Sequence, residues 1–302
     1  MPSEYEKYVQ KLTFEKGGPD WYRQVATLDL SPWGIDARVQ YGVCEAAGKL
    51  AAESPVAHTH DFDQVMLFYG ADAADMGELG AEIEFRLSET AERFMITSST
   101  AVAIPKGMPH FPAEVQRMNR RFVCVTVSMS AAYSENSYDI SKETLATAPY
   151  GSFMGGLRKH VIPMAFQRKG PWSYGPDNRD DSGGSLTFIR GNDVGFEFLV
   201  MLESIKKVPY RFGPDPYKPH AHPQPEILFF LGTDLDDVSK LNGEAEICLG
   251  KEMDRFTISE PTAVVCPKGL AHNPLTMTKL EKPFLLMDVR PFGSGMMNAG
   301  KV

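Results

Sequence analysis

The sequence has few cysteines and no cysteine pair of the kind that marks a redox or metal site. Its 302 residues include four, and no two of them show the C-x-x-C spacing. Cys124, Cys248 and Cys266 lie in apolar segments, where a free thiol behaves as a small hydrophobic side chain. We therefore predict that the cysteines are buried free thiols.

The sequence also lacks a basic excess and a long apolar segment. It has 31 Lys and Arg against 39 Asp and Glu, a net charge of −8 and a pI near 5.4, whereas nucleic-acid-binding proteins usually have a basic surface. No apolar segment approaches the ~20 residues of a membrane-spanning helix. The first residues, MPSEYEKYVQ, have neither the basic start nor the apolar core of a signal peptide. We expect a cytoplasmic protein without nucleic-acid or membrane partners.

A repeated segment is the strongest feature of the sequence. Residues 58–112 align without a gap with residues 220–274, at a constant offset of 220 − 58 = 162, and 21 of the 55 aligned positions are identical. The alignment matches three histidines in each half, as the pairs His58/His220, His60/His222 and His110/His272. So large a period indicates a duplicated domain rather than a solenoid.

Both repeats have the pattern of β-structure. Segments such as QVMLFYG, AEIEFRL and RFVCVTVSM are rich in β-branched and aromatic residues, and Gly, Pro, Asp and Asn separate them at short intervals. Long amphipathic helices are scarce. The pattern predicts an all-β protein of the sandwich or barrel type, a class that includes jelly rolls.

The segment between the repeats has a different composition. Residues 131–184 are rich in Ser, Gly, Pro, Tyr and Asp, which predicts an irregular connector with a short helix near SKETLATA. The segment HVIPMAF in this connector is expected to pack on the barrels. We predict two domains, residues 1–150 (unit one) and residues 151–302 (unit two).

The repeated histidines have the spacing of a metal site. Residues i and i+2 of a strand face the same side, so each His-x-His pair can point into one barrel, and imidazole is the commonest metal ligand. The third histidine follows a turn, PKGMPH or PKGLAH, that can direct it inward. Four residues after the second histidine, unit two has a carboxylate. We predict that unit two binds a metal through His220, His222, Glu226 and His272.

These motifs resemble the two sequence motifs of the cupin superfamily. Unit two matches at HAHPQPEILFFLG and PKGLAHNPL, and unit one at HTHDFDQVMLFYG and PKGMPHFP. The chain is thus similar to a bicupin over about residues 22–130 and 185–290. The resemblance implies two tandem jelly-roll β-barrels, each with a metal site.

Unit one departs from the family pattern at the carboxylate position. Its expected ligands are His58, His60, Gln64 and His110, where the family usually has Glu in place of Gln64. An amide oxygen is neutral and a weaker ligand, so we expect unit one to hold a divalent ion less tightly than unit two. One or two metals per chain are therefore expected.

The resemblance leaves several functions open, because the family includes dioxygenases, decarboxylases, isomerases, lyases and non-enzymatic members. Our first hypothesis is an oxidoreductase of the dioxygenase type acting on a small oxygenated or carboxylated substrate. Fe(II) is the favoured ion, with Mn, Ni, Cu or Zn as alternatives, and Glu226 serves as ligand and, if displaced, as base. The second is a redox-neutral isomerase, lyase or decarboxylase, and the third a binding or storage module. Assembly into a homo-oligomer stays open.

Overall fold

The computed structural model describes residues 3–15, 22–49, 56–151, 155–167, 182–212 and 218–293. Nearly all its regular structure is strand, as the composition predicts. The α-helix of the described residues, α1, spans Lys142–Thr147 within the connector, at the predicted position. It begins after Ser141, whose hydroxyl accepts a hydrogen bond from the Thr144 amide, as a helix N-cap does. The four cysteines are buried and free, as predicted.

The strands of the first half are β1 Val9–Lys11, β2 Tyr22–Asp29, β3 Arg38–Cys44, β4 Gly48–Lys49, β5 His58–Thr59, β6 Gln64–Gly70, β7 Ala81–Leu87, β8 Glu92–Ile96, β9 Thr100–Ile104, β10 Glu114–Met118, β11 Phe122–Ser128 and β12 Asn136–Ser137. Those of the second half are β13 Val161–Pro163, β14 Leu186–Arg190, β15 Leu199–Ile205, β16 Tyr210–Phe212, β17 Glu226–Gly232, β18 Gly243–Leu249, β19 Asp254–Ile258, β20 Thr262–Cys266, β21 His272–Leu280 and β22 Phe284–Arg290. Short 3₁₀ helices span Glu6–Tyr8, Ser31–Trp33 and Gly156–His160.

The duplication seen in the sequence is repeated in the strands. Strands β6, β7, β8, β9 and β11 have the same bounds as β17, β18, β19, β20 and β22 once 162 is added to each number. Each unit is a six-stranded antiparallel sheet facing a four-stranded one. The sheet orders are β13-β9-β6-β11-β3-β2 with β4-β10-β7-β8, and β1-β20-β17-β22-β15-β14 with β16-β21-β18-β19.

Strands β6 and β17 are buried on both faces, and this explains their unbroken apolar sequences. Phe68 and Phe230 point between the two sheets of their own unit. Their neighbours Tyr69 and Leu231 point the other way, into a third apolar cluster that joins the six-stranded sheets of the two units. The first residues of these strands, Gln64 and Glu226, share the inward face because side chains alternate.

The two units exchange strands at their sheet edges. Strand β1, from the chain's first residues, pairs with β20 of unit two, and β13, which lies in the connector, pairs with β9 of unit one. The segment HVIPMAF therefore packs on unit one, as expected. The boundary near residue 150 stays a prediction. Each six-stranded sheet includes one strand from the other side of it. Among the described residues, no helix is long and apolar enough to cross a membrane.

We predict that the N-terminal segment stabilises unit two. Deleting residues 1–12 removes the pairing of Val9–Lys11 with β20 and the bond from the Leu12 amide to the Pro261 carbonyl. The loss of several backbone hydrogen bonds, about 1 kcal/mol each, should lower the free energy of unfolding measured in urea by about 2–4 kcal/mol. Lys11→Ala is the control, because it removes only the exposed ion pair with Glu260 and should change stability by less than about 0.5 kcal/mol. Equal stability of the deletion and the control would contradict the prediction.

Candidate metal centres

Backbone hydrogen bonds join the two histidine motifs of each unit. In unit one the amide of His58 donates to the carbonyl of His110 at 2.9 Å, and the amide of His110 donates back at 3.0 Å. His220 and His272 form the same reciprocal pair at 3.0 and 2.9 Å. Residues about 50 positions apart in the sequence are thus fixed side by side.

The six repeated histidines form the two predicted clusters. One nitrogen of each ring lies within 4.8 Å of the corresponding nitrogens of its two partners, in unit one and in unit two. The ring centroids are 4.2–5.0 Å apart in unit one and 4.5–5.1 Å apart in unit two. Five of these six histidines are buried, and His220 is partly buried. Each chain therefore contains two three-histidine metal sites.

Outer contacts orient the imidazoles of unit one. The Nδ1 atoms of His58, His60 and His110 donate to the carbonyls of Val56, Ser134 and Met108 at 3.3, 2.7 and 3.0 Å. A carbonyl only accepts, so each Nδ1 carries the proton and each neutral ring has its lone pair on Nε2. This arrangement is typical of metal-binding histidines, whose second nitrogen is held by a backbone or carboxylate acceptor.

The unit-two cluster brings together three buried polar atoms that a metal ion between them would satisfy. His272 Nδ1 donates to the Leu270 carbonyl at 3.0 Å, so its Nε2 carries a lone pair when the ring is neutral. That Nε2 lies 2.7 Å from Glu226 Oε2, and His222 Nε2 lies 3.3 Å from the same oxygen. These three buried atoms have no hydrogen-bond partner among the described residues. A single proton could relieve one contact only, whereas a divalent metal would satisfy the whole set, so the residues present fit a metal.

Burial favours the neutral form of three of the six imidazoles. At His272 burial acts in the same direction, but the neighbouring Cys266 and Glu226 raise its pKa well above the usual value. Desolvation, followed by the nearby His272 and His222, lowers the pKa of His220 to about 4. Burial also lowers the pKa of His60, and it lowers the pKa of His110 well below its usual value. At His60, His110 and His220 a metal ion would therefore meet little competition from protons at neutral pH.

The fourth predicted ligand lies differently in the two units. Glu226 starts β17 and directs one oxygen at His272 and His222, so the structure brings it to the unit-two cluster. Gln64 starts β6 at the matching position, and its amide nitrogen lies 3.4 Å from the Ser128 hydroxyl. Coordination by either residue stays a prediction.

Two charged residues behind Glu226 were missed by sequence reasoning. Arg290 donates to the second oxygen of Glu226, Oε1, and also to Asp288. Burial alone would raise the pKa of Glu226, but Arg290 and His272 hold it well below its usual range. A carboxylate held in this way is a good ligand and a weak base. The available signal was the pair of charges that ends the apolar segment PFLLMDVR of β22.

The connector contacts the residues of the unit-one site. Strand β12 pairs with β5, which carries His58, and the preceding Ser134 supplies the carbonyl that accepts from His60. The ring of Tyr133 lies 5.4 Å from that of His60, which stacks on Phe62 at 4.7 Å. The sequence predicted the connector, but not its contact with a metal ligand.

The fold has counterparts among solved structures, whereas no family model and no curated protein matches the sequence. Vicilin from hazelnut (Corylus avellana) gives a TM-score of 0.57 at 11% identity, over 94% of this chain and 85% of that chain. A mutant of Bacillus subtilis oxalate decarboxylase gives 0.54 at 13% identity, over 95% and 76%. The chain has a bicupin fold. Another structure of that decarboxylase, from work on its Mn(II) centers, gives 0.52 at 12% identity, over 95% and 76%. At these identities the likeness of this bicupin to its neighbours concerns the fold.

We predict that His272→Ala removes one metal per chain. Elemental analysis of the wild-type protein should give close to two metals per chain, and the variant should give close to one because its unit-two site loses a ligand. The barrel should stay folded, since other strands supply most of its core. The control is His160→Gln. His160 is also buried, but it hydrogen-bonds the Ala103 carbonyl and belongs to neither cluster. A His272→Ala protein with unchanged metal content would refute the assignment.

The lowered pKa of His220 also predicts a pH dependence of stability for the metal-free protein. The folded-state pKa, about 4, lies below the unfolded value of about 6.5, so the unfolded chain binds more protons between these values. The contribution is complete above about pH 6.5 and is lost as the pH falls toward 4, by up to about 1.4 kcal/mol per pH unit. Urea unfolding at pH 7.5, 6 and 5 should show the fall, and His220→Ala should reduce the slope. A slope unchanged by the substitution would contradict the prediction.

Proposed function

We propose that this bicupin is a metal-dependent enzyme that acts on a small oxygenated or carboxylated organic substrate, with its chemistry in unit two. The observation that carries the proposal is the meeting of buried Glu226 Oε2 with the Nε2 atoms of His272 and His222, at 2.7 and 3.3 Å. A purely structural site has no need of this arrangement, since buried acceptors without a donor are costly. A binding or storage module would gain nothing from it.

The residues of unit two have distinct roles in this proposal. His220, His222, His272 and Glu226 would hold the ion and fill four positions, which leaves positions for substrate and a second reactant. When bound, a divalent transition metal supplies Lewis acidity, and a redox-active one also supplies electrons for dioxygen chemistry. The buried barrel walls around the histidines exclude water from the reacting groups.

Two reaction types suit this donor set. The first is an oxygen-dependent reaction of the dioxygenase type, for which a bound Fe(II) would supply the electrons. The second is a redox-neutral decarboxylation, with Mn(II) as a candidate ion. The second is favoured by one specific observation, the likeness of the fold to oxalate decarboxylase over about 95% of this chain.

One experiment separates the two. The protein is loaded with Fe(II) or Mn(II) and incubated with a panel of small mono- and dicarboxylic acids that includes oxalate, in air and under argon. Oxygen uptake in step with product formation, lost under argon, would support the dioxygenase. Release of carbon dioxide without net oxygen uptake would support the decarboxylase. No turnover with any ion and substrate would favour the binding module.

We predict that exchanging the fourth ligand between the units has unequal effects. Glu226→Gln replaces a charged oxygen with a neutral one of the same size, so metal affinity of unit two should fall by about 10-fold or more, and turnover should fall with it. The mirror variant Gln64→Glu is the matched control. It should tighten metal binding in unit one without restoring activity to the Glu226→Gln protein.

One combination of results would contradict this prediction and locate the chemistry in unit one. Full turnover of Glu226→Gln, together with loss of turnover on substitution of His58, His60 or His110, would assign the reaction to unit one. Metal content measured on each variant keeps loss of the ion distinct from loss of a reacting group.

A further inference from the structure

Three charged side chains are buried together behind the unit-two histidines. Glu226, Asp288 and Arg290 are 2%, 3% and 7% exposed. Burying a charge is costly unless it is paired and hydrogen-bonded, so a set of this kind is kept only with precise partners. Glu226 begins β17, and Asp288 and Arg290 lie at the end of the neighbouring β22, so the three side chains support the histidine cluster from these two strands.

The hydrogen bonds assign different partners to the two oxygens of Glu226. Arg290 Nη2 donates to Glu226 Oε1 at 2.5 Å, while Glu226 Oε2 lies 2.7 Å from His272 Nε2. The guanidinium is itself fixed, because Nη2 and Nε donate to the two oxygens of Asp288 at 2.9 and 3.3 Å. A two-point contact of this kind sets the plane of an arginine in a way that a single bond does not.

Unit one replaces all three residues together. At the offset of 162, Glu226 corresponds to Gln64, Asp288 to Thr126 and Arg290 to Ser128. The contact from the amide of Gln64 to the Ser128 hydroxyl, at 3.4 Å, occupies the place of the arginine–carboxylate bond. Unit two therefore has a charged set of three residues, and unit one has a neutral set. In each unit the last residue of β22 or β11 contacts the residue at the fourth-ligand position.

We propose that Arg290 is a positioning residue for the unit-two metal centre. By donating to Glu226 Oε1, Arg290 leaves Oε2 as the one carboxylate oxygen that faces the ion. Asp288 holds the guanidinium in that orientation. Coordination through one oxygen leaves more open positions than coordination through two, so Arg290 helps to keep room for substrate. This inference rests on the proposed function only in requiring that unit two binds a divalent ion, whatever the reaction.

The experiment measures Mn(II) binding at unit two in isolation. All proteins carry His110→Ala, which removes a unit-one ligand, and affinity is measured by competition with a chelator. The key variant is Arg290→Ser with Asp288→Thr, which copies unit one. The paired change removes the cation Arg290 and does not make the site more positive, so a loss of Mn(II) affinity reports the position of Glu226 and not a new repulsion. The matched control is Thr126→Ala with Ser128→Ala in unit one.

The paired variant should lose about 10- to 100-fold in Mn(II) affinity, as supporting residues of metal sites do. Its Mn(II) electron paramagnetic resonance spectrum should also change, because Glu226 is free to bind through both oxygens. Arg290→Lys keeps one donor for Oε1 and should recover part of the affinity and the spectrum. In a Glu226→Gln background the paired change should cost much less, since Arg290 acts through that carboxylate.

Two results would overturn the proposal. Either the paired variant and Arg290→Lys bind Mn(II) with unchanged affinity and spectrum, or the paired change costs as much with Gln at position 226 as with Glu. If the paired variant fails to fold, the affinity and spectrum of Arg290→Lys decide alone. None of these measurements uses turnover, so a failure of the proposed enzymatic function would be seen separately.

Discussion

The reciprocal backbone hydrogen bonds between the first and third histidines of each unit determine the geometry of both sites. They tie His58 to His110 and His220 to His272, and the amides of Gly107 and Gly269 add bonds to the carbonyls of the middle histidines at 2.9 Å in both units. Because the bonds are made by the backbone, they are independent of the side chains between the motifs. The same arrangement of histidines therefore persists although 34 of the 55 aligned residues differ (55 − 21).

The parts of the molecule that the sequence predicts are those with a repeated or periodic pattern. The two histidine clusters, the duplication, the all-β fold and the short helix after Ser141 all follow from spacing, propensity or self-similarity, and the structure confirms them. The pairing of β1 with β20 could not be predicted, because a three-residue strand has no periodicity to recognise. The role of Arg290 depends on a contact across two strands, which no local pattern encodes.

Strands β6 and β17, which are buried on both faces, connect the metal sites to the core between the two units. Strands β6 and β17 place their first residues beside the histidines, while their remaining side chains alternate between the interior of a unit and the cluster that joins the units. Tyr69 and Leu231 are within that joining cluster and almost fully buried. The core between the units therefore restrains the strands that carry Gln64 and Glu226, and the position of each fourth ligand depends on the contact between units as well as on its own barrel.

The negative charge of Glu226 does not by itself give the two sites different net charges, because Arg290 lies beside it. The guanidinium offsets that carboxylate, and burial holds the pKa of Asp288 well above its usual range despite Arg290. The three side chains together thus come close to the neutrality of Gln64, Thr126 and Ser128. An imidazole that binds a metal ion is neutral, so neither donor set would cancel the charge of a divalent ion. An ion held in this way keeps a positive field in a buried barrel, where interactions are little screened. That field favours an anionic ligand, which is the electrostatic reason to look for the substrate among carboxylates.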